Sequence, residues 1–113
     1  MTESVRLPAR LEVQGLIRRV QFAGGFAAVL RKGHDEAGAI LLIAVENGRN
    51  PRFWERIPQL DGSRQWSDVT PQGIEDPEKA SQTIERRSRS DPDLWIVELD
   101  IADAERLIVS TGV

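Results

Sequence analysis

Apolar positions along the chain change their spacing in a way that marks out successive elements. Val13, Leu16, Ile17 and Val20 recur at i, i+3, i+4 and i+7, one face of a helix. Leu7-Pro8-Ala9 suits its first turn, and Gly24-Gly25 suits its end, where glycine accepts the left-handed cap conformation. Residues 26–32 read as a strand and residues 33–38 as a loop. Ala39 to Val45, AILLIAV, is continuously apolar and predicts a central strand covered on both faces. Asn47-Gly48 is a hairpin-turn signal, followed by a strand over Arg52–Ile57. Asp61-Gly62 marks a second hairpin that returns through 65–70. Its register follows from loop length: a two-residue loop sets Glu55 opposite Asp68, a three-residue loop sets Arg56 opposite Asp68, and charge pairing favours the second. The polar side chains of this last strand mark it as an outer edge that resists pairing. Asp76-Pro77-Glu78 opens a helix with a cap, a proline at the first position and an acid in the first turn. Arg86, Arg87 and Arg89 suit its C-terminal dipole, and Asp91-Pro92 stops it. Only Ala80 and Ile84, with Thr83 beside them, give it an apolar face. Leu94 to Leu99, LWIVEL, is a second strongly apolar strand, and Asp100 is placed to cap a last helix running through Ile108.

The predicted order is α-β-β-β-β-α-β-α. This is an α+β fold: a mixed, mainly antiparallel five-stranded sheet with helices packed on it. Two strands apolar on both sides require helices on both faces. The first four strands are expected to form a meander, with the fifth added beside the second or the first. At 113 residues, one globular domain over 1–113 is expected.

The segment GRNPRFWERIP, residues 48–58, carries the most suggestive polar pattern. Alternation along a strand sets Arg52, Trp54 and Arg56 on one face and Phe53, Glu55 and Ile57 on the other. Arg49, Arg52, Trp54 and Arg56 are therefore the candidate binding residues. On an exposed hairpin the two guanidinium groups would stack on the Trp54 indole. Trp54→Ala would then cost about 1–2 kcal/mol, against about 3–5 kcal/mol for Trp95→Ala in the core strand. Trp66 is expected to pack across its hairpin onto Pro58.

Charge and chemistry narrow the function. The net charge is −3, with a balance of +3 over residues 1–64 and −6 over residues 65–113. Thirteen of the fifteen cations are arginine, a residue suited to bidentate anion contacts. No cysteine is present, which excludes disulfides, thiolate catalysis and Cys-ligated metals. The longest apolar run, Ala37 to Val45, is too short to span a bilayer, and the N-terminus lacks the apolar core of a signal peptide. A cytoplasmic protein without membrane contact is expected. His34, the only histidine, falls on a loop beside Asp35-Glu36. There is no Gly-x-Ser-x-Gly elbow, phosphate-binding loop or dinucleotide fingerprint. Asp91, Asp93, Glu98, Asp100 and Asp103 form the acidic grouping best suited to a divalent metal, and turn and cap roles account for them. No catalytic residue, metal ligand or cofactor is assigned.

The stretches RRVQFAGGFAAVLRKGHDEAGAILL, GRNPRFWERIP and RRSRSDPDLWIVELDIADAERLI resemble the family called domain of unknown function 1491, and the resemblance covers nearly the whole chain. It implies a short bacterial protein and brings no activity with it. Three classes of function fit. The first is a non-enzymatic protein-interaction module that binds a protein partner or itself. The second is a binder of nucleic acid, RNA or single-stranded DNA, using the Arg-Trp-Arg stripe; an isoelectric point near 5.2 disfavours it. The third is a metal-dependent enzyme with a carboxylate site.

Overall fold

The computed structural model describes residues 7–110. Residues 1–6, part of the stretch judged to hold no signal peptide, lie outside them. Eight elements follow in the expected order: α1 (Ala9–Phe22), β1 (Phe26–Arg31), β2 (Ile40–Glu46), β3 (Arg49–Pro58), β4 (Arg64–Asp68), α2 (Pro77–Ser90), β5 (Trp95–Asp100) and α3 (Ala104–Ser110). The five strands form one mixed sheet in the order β1-β5-β2-β3-β4. Only the β2–β5 pair is parallel.

That strand order corrects the four-strand meander. The meander is β2-β3-β4 alone; β5 enters between β1 and β2, antiparallel to the first and parallel to the second. The physical reason lies in burial. Trp95, Ile96, Val97 and Leu99 are all buried, so β5 needs cover on both faces. β1 exposes Phe26, Ala28 and Val29 and can stand at an edge. The second edge is β4, as expected for the outer strand of the hairpin.

Two cores result, one on each face. Ala9, Val13, Leu16 and Val20 of α1, with Ala104 and Ile108 of α3, pack on Leu42, Ala44, Val97 and Leu99. On the opposite face Leu41, Ile43, Phe53 and Ile96 lie under Ile74, with Ala80 and Ile84 of α2 at the margin. The period-two alternation of LLIA in β2 therefore feeds both layers. α2 is as polar as its sequence suggests. Besides Ala80, Ile84 and the buried Thr83, it is held by ion pairs from Arg87 to Glu55 and from Glu85 to Arg31. Asp76 accepts the Glu78 N–H at 3.0 Å, the expected cap.

The last helix starts differently from the expectation. Asp100 does not cap it. Its carboxylate instead accepts the Asn47 and Gly48 N–H groups at 2.7 and 3.1 Å, because β5 runs parallel to β2 and ends beside the β2–β3 turn. Asp103, with φ of 58°, turns the chain into α3. In the turn itself Asn47 and Gly48 both have positive φ, as that hairpin class requires.

Candidate functional site

The stripe on β3 begins with a backbone irregularity. Between Ala44 and Glu46 the pairing with β3 slips, so that Ala44 faces Arg52 and Glu46 faces Arg49. Asn50, at φ of 56°, takes up the extra residue, and the bulge accommodates Pro51, which has no N–H for a regular ladder. This is why Arg-Asn-Pro-Arg can lie inside a ten-residue strand. It also leaves Arg49 and Arg52 at the exposed hairpin end.

Beyond the bulge the expected face alternation holds, but that face is core. Trp54 is only 7% exposed and belongs to the layer under α1 and α3. Its Nε1–H is buried and has no hydrogen-bond partner among the described residues. Among the described residues no guanidinium stacks on it. Arg56 instead lies over the Trp66 ring, 4.8 Å from its centroid. The self-stacked Trp54 is thus replaced by an Arg56–Trp66 pair across the hairpin.

The register explains the exchange. Trp54 faces Asp68, Glu55 faces Ser67 and Arg56 faces Trp66, which matches neither expected register. The connection is longer than foreseen: Pro58 still pairs with Arg64, and Asp61 orders the loop by accepting the Ser63 N–H and hydroxyl. Trp66 therefore opposes Arg56 rather than Pro58.

The expected Arg56–Asp68 charge pair does not form; Asp68 is taken by Arg52, on the diagonal. Arg52 donates to Asp68 Oδ2 through Nε at 3.2 Å and Nη2 at 2.7 Å. The other Asp68 oxygen accepts the Thr70 N–H and hydroxyl. Thr70 Oγ1 in turn accepts the Phe53 N–H at 2.9 Å, so this chain of bonds closes the open end of the hairpin. Arg56 and Glu55 reach to opposite sides. Arg56 makes a two-pronged pair with Glu12 of α1, both contacts at 2.7 Å. Glu55 takes Arg87 of α2 at 2.7 Å. Adjacent residues of one strand thereby hold a helix on each face of the sheet.

Burial alone would raise the Asp68 carboxyl, but the Thr70 hydroxyl, the Arg52 guanidinium and the Thr70 N–H together hold it below the ordinary aspartate value of 3.8. A carboxyl lowered by folding contributes stability above its unfolded pKa and loses it as pH falls through the folded value. Stability should therefore drop below about pH 4. Asp61, lowered by its Ser63 bonds, adds to the same acid limb. Asp68→Asn should lower the urea midpoint at pH 7 and shrink the loss between pH 7 and pH 3. An unchanged pH profile would show that the Arg52 pair adds nothing to stability.

The chemistry-bearing residues outside the stripe serve the scaffold. His34 Nδ1 accepts the Glu36 and Ala37 N–H groups at 3.2 and 3.1 Å. Its carbonyl accepts Trp95 Nε1–H at 2.8 Å, and its own N–H donates to the Asp93 carbonyl at 3.0 Å. The same loop caps α1: Ala9 and Arg10 donate to the Glu36 and Asp35 carbonyls at 3.0 and 2.9 Å. That role was hidden because α1 has no side-chain cap; Pro8 occupies the position. Asp91 accepts the Asp93 N–H, completing the turn after α2. Among the described residues no group of three or more His, Cys, Asp or Glu side chains converges as a metal site would require. No described helix is long and apolar enough to cross a membrane.

The model of the family described as "Protein of unknown function (DUF1491)" matches residues 7–109. No curated protein matches the chain. Among solved structures, the crystal structure of a DUF1491 family protein from Caulobacter crescentus is similar, with a TM-score of 0.77 and 34% identity over 87% of this chain and 91% of that one. The solution structure of a protein from A. tumefaciens gives a TM-score of 0.74 and 34% identity over 93% and 94% of the two chains. With its family model matched almost from end to end of the described residues, the chain belongs to the DUF1491 family.

Proposed function

We propose that this protein is a small non-enzymatic interaction module whose contact surface is the exposed end of the β2–β3 hairpin. Arg49 and Arg52 supply its cations. Trp54 and Arg56 act beneath them as fixed supports, the indole filling the core and the guanidinium tying β3 to α1. The observation that carries this reading is the bulge at Asn50, which holds Arg49 and Arg52 at the surface of an otherwise regular strand. Bulges recur where a side chain has to be re-aimed. Arg49 at such a rim favours a carboxylate on a partner, through planar two-pronged hydrogen bonds, beside an Arg52 held in place by Asp68.

Nucleic acid is the weaker partner class. Stacking on a base needs an open aromatic face, and Trp54 is buried while Arg56 covers a face of Trp66. Affinity capture with the tagged protein from its own cells, run with and without nuclease, separates the two. A nuclease-resistant protein partner should be lost with the Arg49→Ala/Arg52→Ala variant, whose far-ultraviolet circular dichroism stays unchanged. Capture that disappears on nuclease treatment, or that the double variant leaves intact, would reject the surface.

A further inference from the structure

The two edges of the sheet are chemically opposite. β4 presents Arg64, Gln65, Ser67 and Asp68 around one buried tryptophan, a composition that discourages strand addition. β1 reads FAAVL from Phe26 to Leu30, with no charge, no proline and no polar side chain. Its ladder runs to β5, and among the described residues 26–30 make no other backbone–backbone hydrogen bond; the Leu30 carbonyl accepts Arg31 Nη1 at 3.1 Å. Beside this open edge Phe22 is 97% exposed and Phe26 is 76% exposed, four residues apart across the tight turn that joins α1 to β1. Val29 is 41% exposed on the same strand.

We propose that the protein forms a two-fold dimer in which β1 pairs edge to edge with β1 of a second copy. This surface is separate from the hairpin end and does not rest on it. The strand is self-complementary in antiparallel register. A two-fold axis at Ala28 sets Ala28 against itself, Ala27 against Val29 and Phe26 against Leu30 of the other copy. Small residues fall at the axis, an aromatic meets an aliphatic residue on either side, and no like charges oppose each other. The bulge between Val29 and Arg31 ends the pairing at that point. Exposed phenylalanines of about 150–200 Å² each supply roughly 600 Å² over two copies, and the paired strands bring the total to about 1,000 Å², the lower bound for a specific interface. Closure about the two-fold leaves only the polar β4 strands at the ends of a ten-stranded sheet, so growth stops at two.

The test is sedimentation equilibrium of the full chain over a roughly hundred-fold range of concentration. The mass should rise from that of the 12.6 kDa chain towards twice that value. Phe26→Lys and Ala28→Lys should each weaken the dimer at least about ten-fold, since charge on an edge opposes pairing. Both face carboxylates within the monomer, Asp100 and Glu98 respectively, and should leave its thermal unfolding nearly unchanged. Gln65→Lys on β4 should leave the dimer intact. A chain that stays monomeric throughout, a dimer indifferent to both β1 substitutions, or one abolished by Gln65→Lys would overturn the proposal.

Discussion

Trp54→Ala should reduce the free energy of unfolding by about 3–5 kcal/mol, as much as Trp95→Ala, when both are followed by urea denaturation. Each indole is almost completely removed from water, at 7% and 5% exposure. Truncation at either site leaves a large cavity under helices whose positions are fixed from several sides, so collapse recovers little. The two should separate with a gentler change. Trp95 Nε1–H bonds the His34 carbonyl, whereas Trp54 Nε1–H finds no partner among the described residues. Trp95→Phe therefore strands a carbonyl as well as losing volume, and Trp54→Phe relieves an unsatisfied donor. Leaving a buried polar group unpaired costs about 1–3 kcal/mol, so Trp54→Phe should be the milder variant by about that amount. If Trp54→Ala cost only about 1–2 kcal/mol, the indole would be working as part of an open surface and its placement in the core would be wrong.

The difference between Trp54 as expected and as found shows what the sequence could convey. Alternation along β3 correctly put Arg52, Trp54 and Arg56 on one face. It could not tell that α1 crosses that face, because the crossing depends on contacts distant in sequence: Glu12 with Arg56, and Val13 and Leu16 in the same core as Trp54. Arginines flanking a core residue look like a polar face, yet they reach out from it to partners at the rim. Local signals fared better. The Asn47-Gly48 turn, the Asp76 cap and the apolar runs of β2 and β5 each act through neighbours in sequence, and all appear as expected. Strand order had no local signal. The insertion of β5 between β1 and β2 could be sensed only from the contrast between LWIVEL, buried throughout, and FAAVLR, with apolar residues left in water. The hairpin register departs from charge pairing for a related reason. Charge pairing points to Arg56 opposite Asp68, but Asp68 meets Arg52 on the diagonal, where long side chains also reach, and Arg56 pairs with Glu12.

The His34 loop and the two glycines at its ends, Gly33 and Gly38, carry the other large expected effect. Gly33 and Gly38 both lie against the Asp93 carbonyl, and both have ordinary backbone angles; what they provide is space. A methyl group on Gly33 would overlap the Asp93 oxygen and come within 2.7 Å of Trp95 Cδ1. One on Gly38 would overlap the same oxygen and approach Trp95 Cδ1 at 2.9 Å. The obstacles are backbone and a buried ring, neither of which can swing aside. Gly33→Ala and Gly38→Ala should each cost about 3 kcal/mol, the upper end for overpacking. The damage should spread along the bonds of the loop: the His34–Trp95 bond weakens, and the Asp35 and Glu36 carbonyls shift away from the first N–H groups of α1. The natural control is Gly15, in the exposed middle of α1 with nothing near its absent methyl. Gly15→Ala should stabilise the chain by about 0.5–1 kcal/mol through backbone entropy alone. Urea unfolding of the three variants would show opposite signs at the two kinds of site. Near-ultraviolet dichroism should change for the loop variants, where Trp95 moves, and stay constant for Gly15→Ala. Loop variants as stable as the parent would mean that residues 33–38 do not bind α1 and β5 together, and that His34 is free for a role other than ordering its own loop.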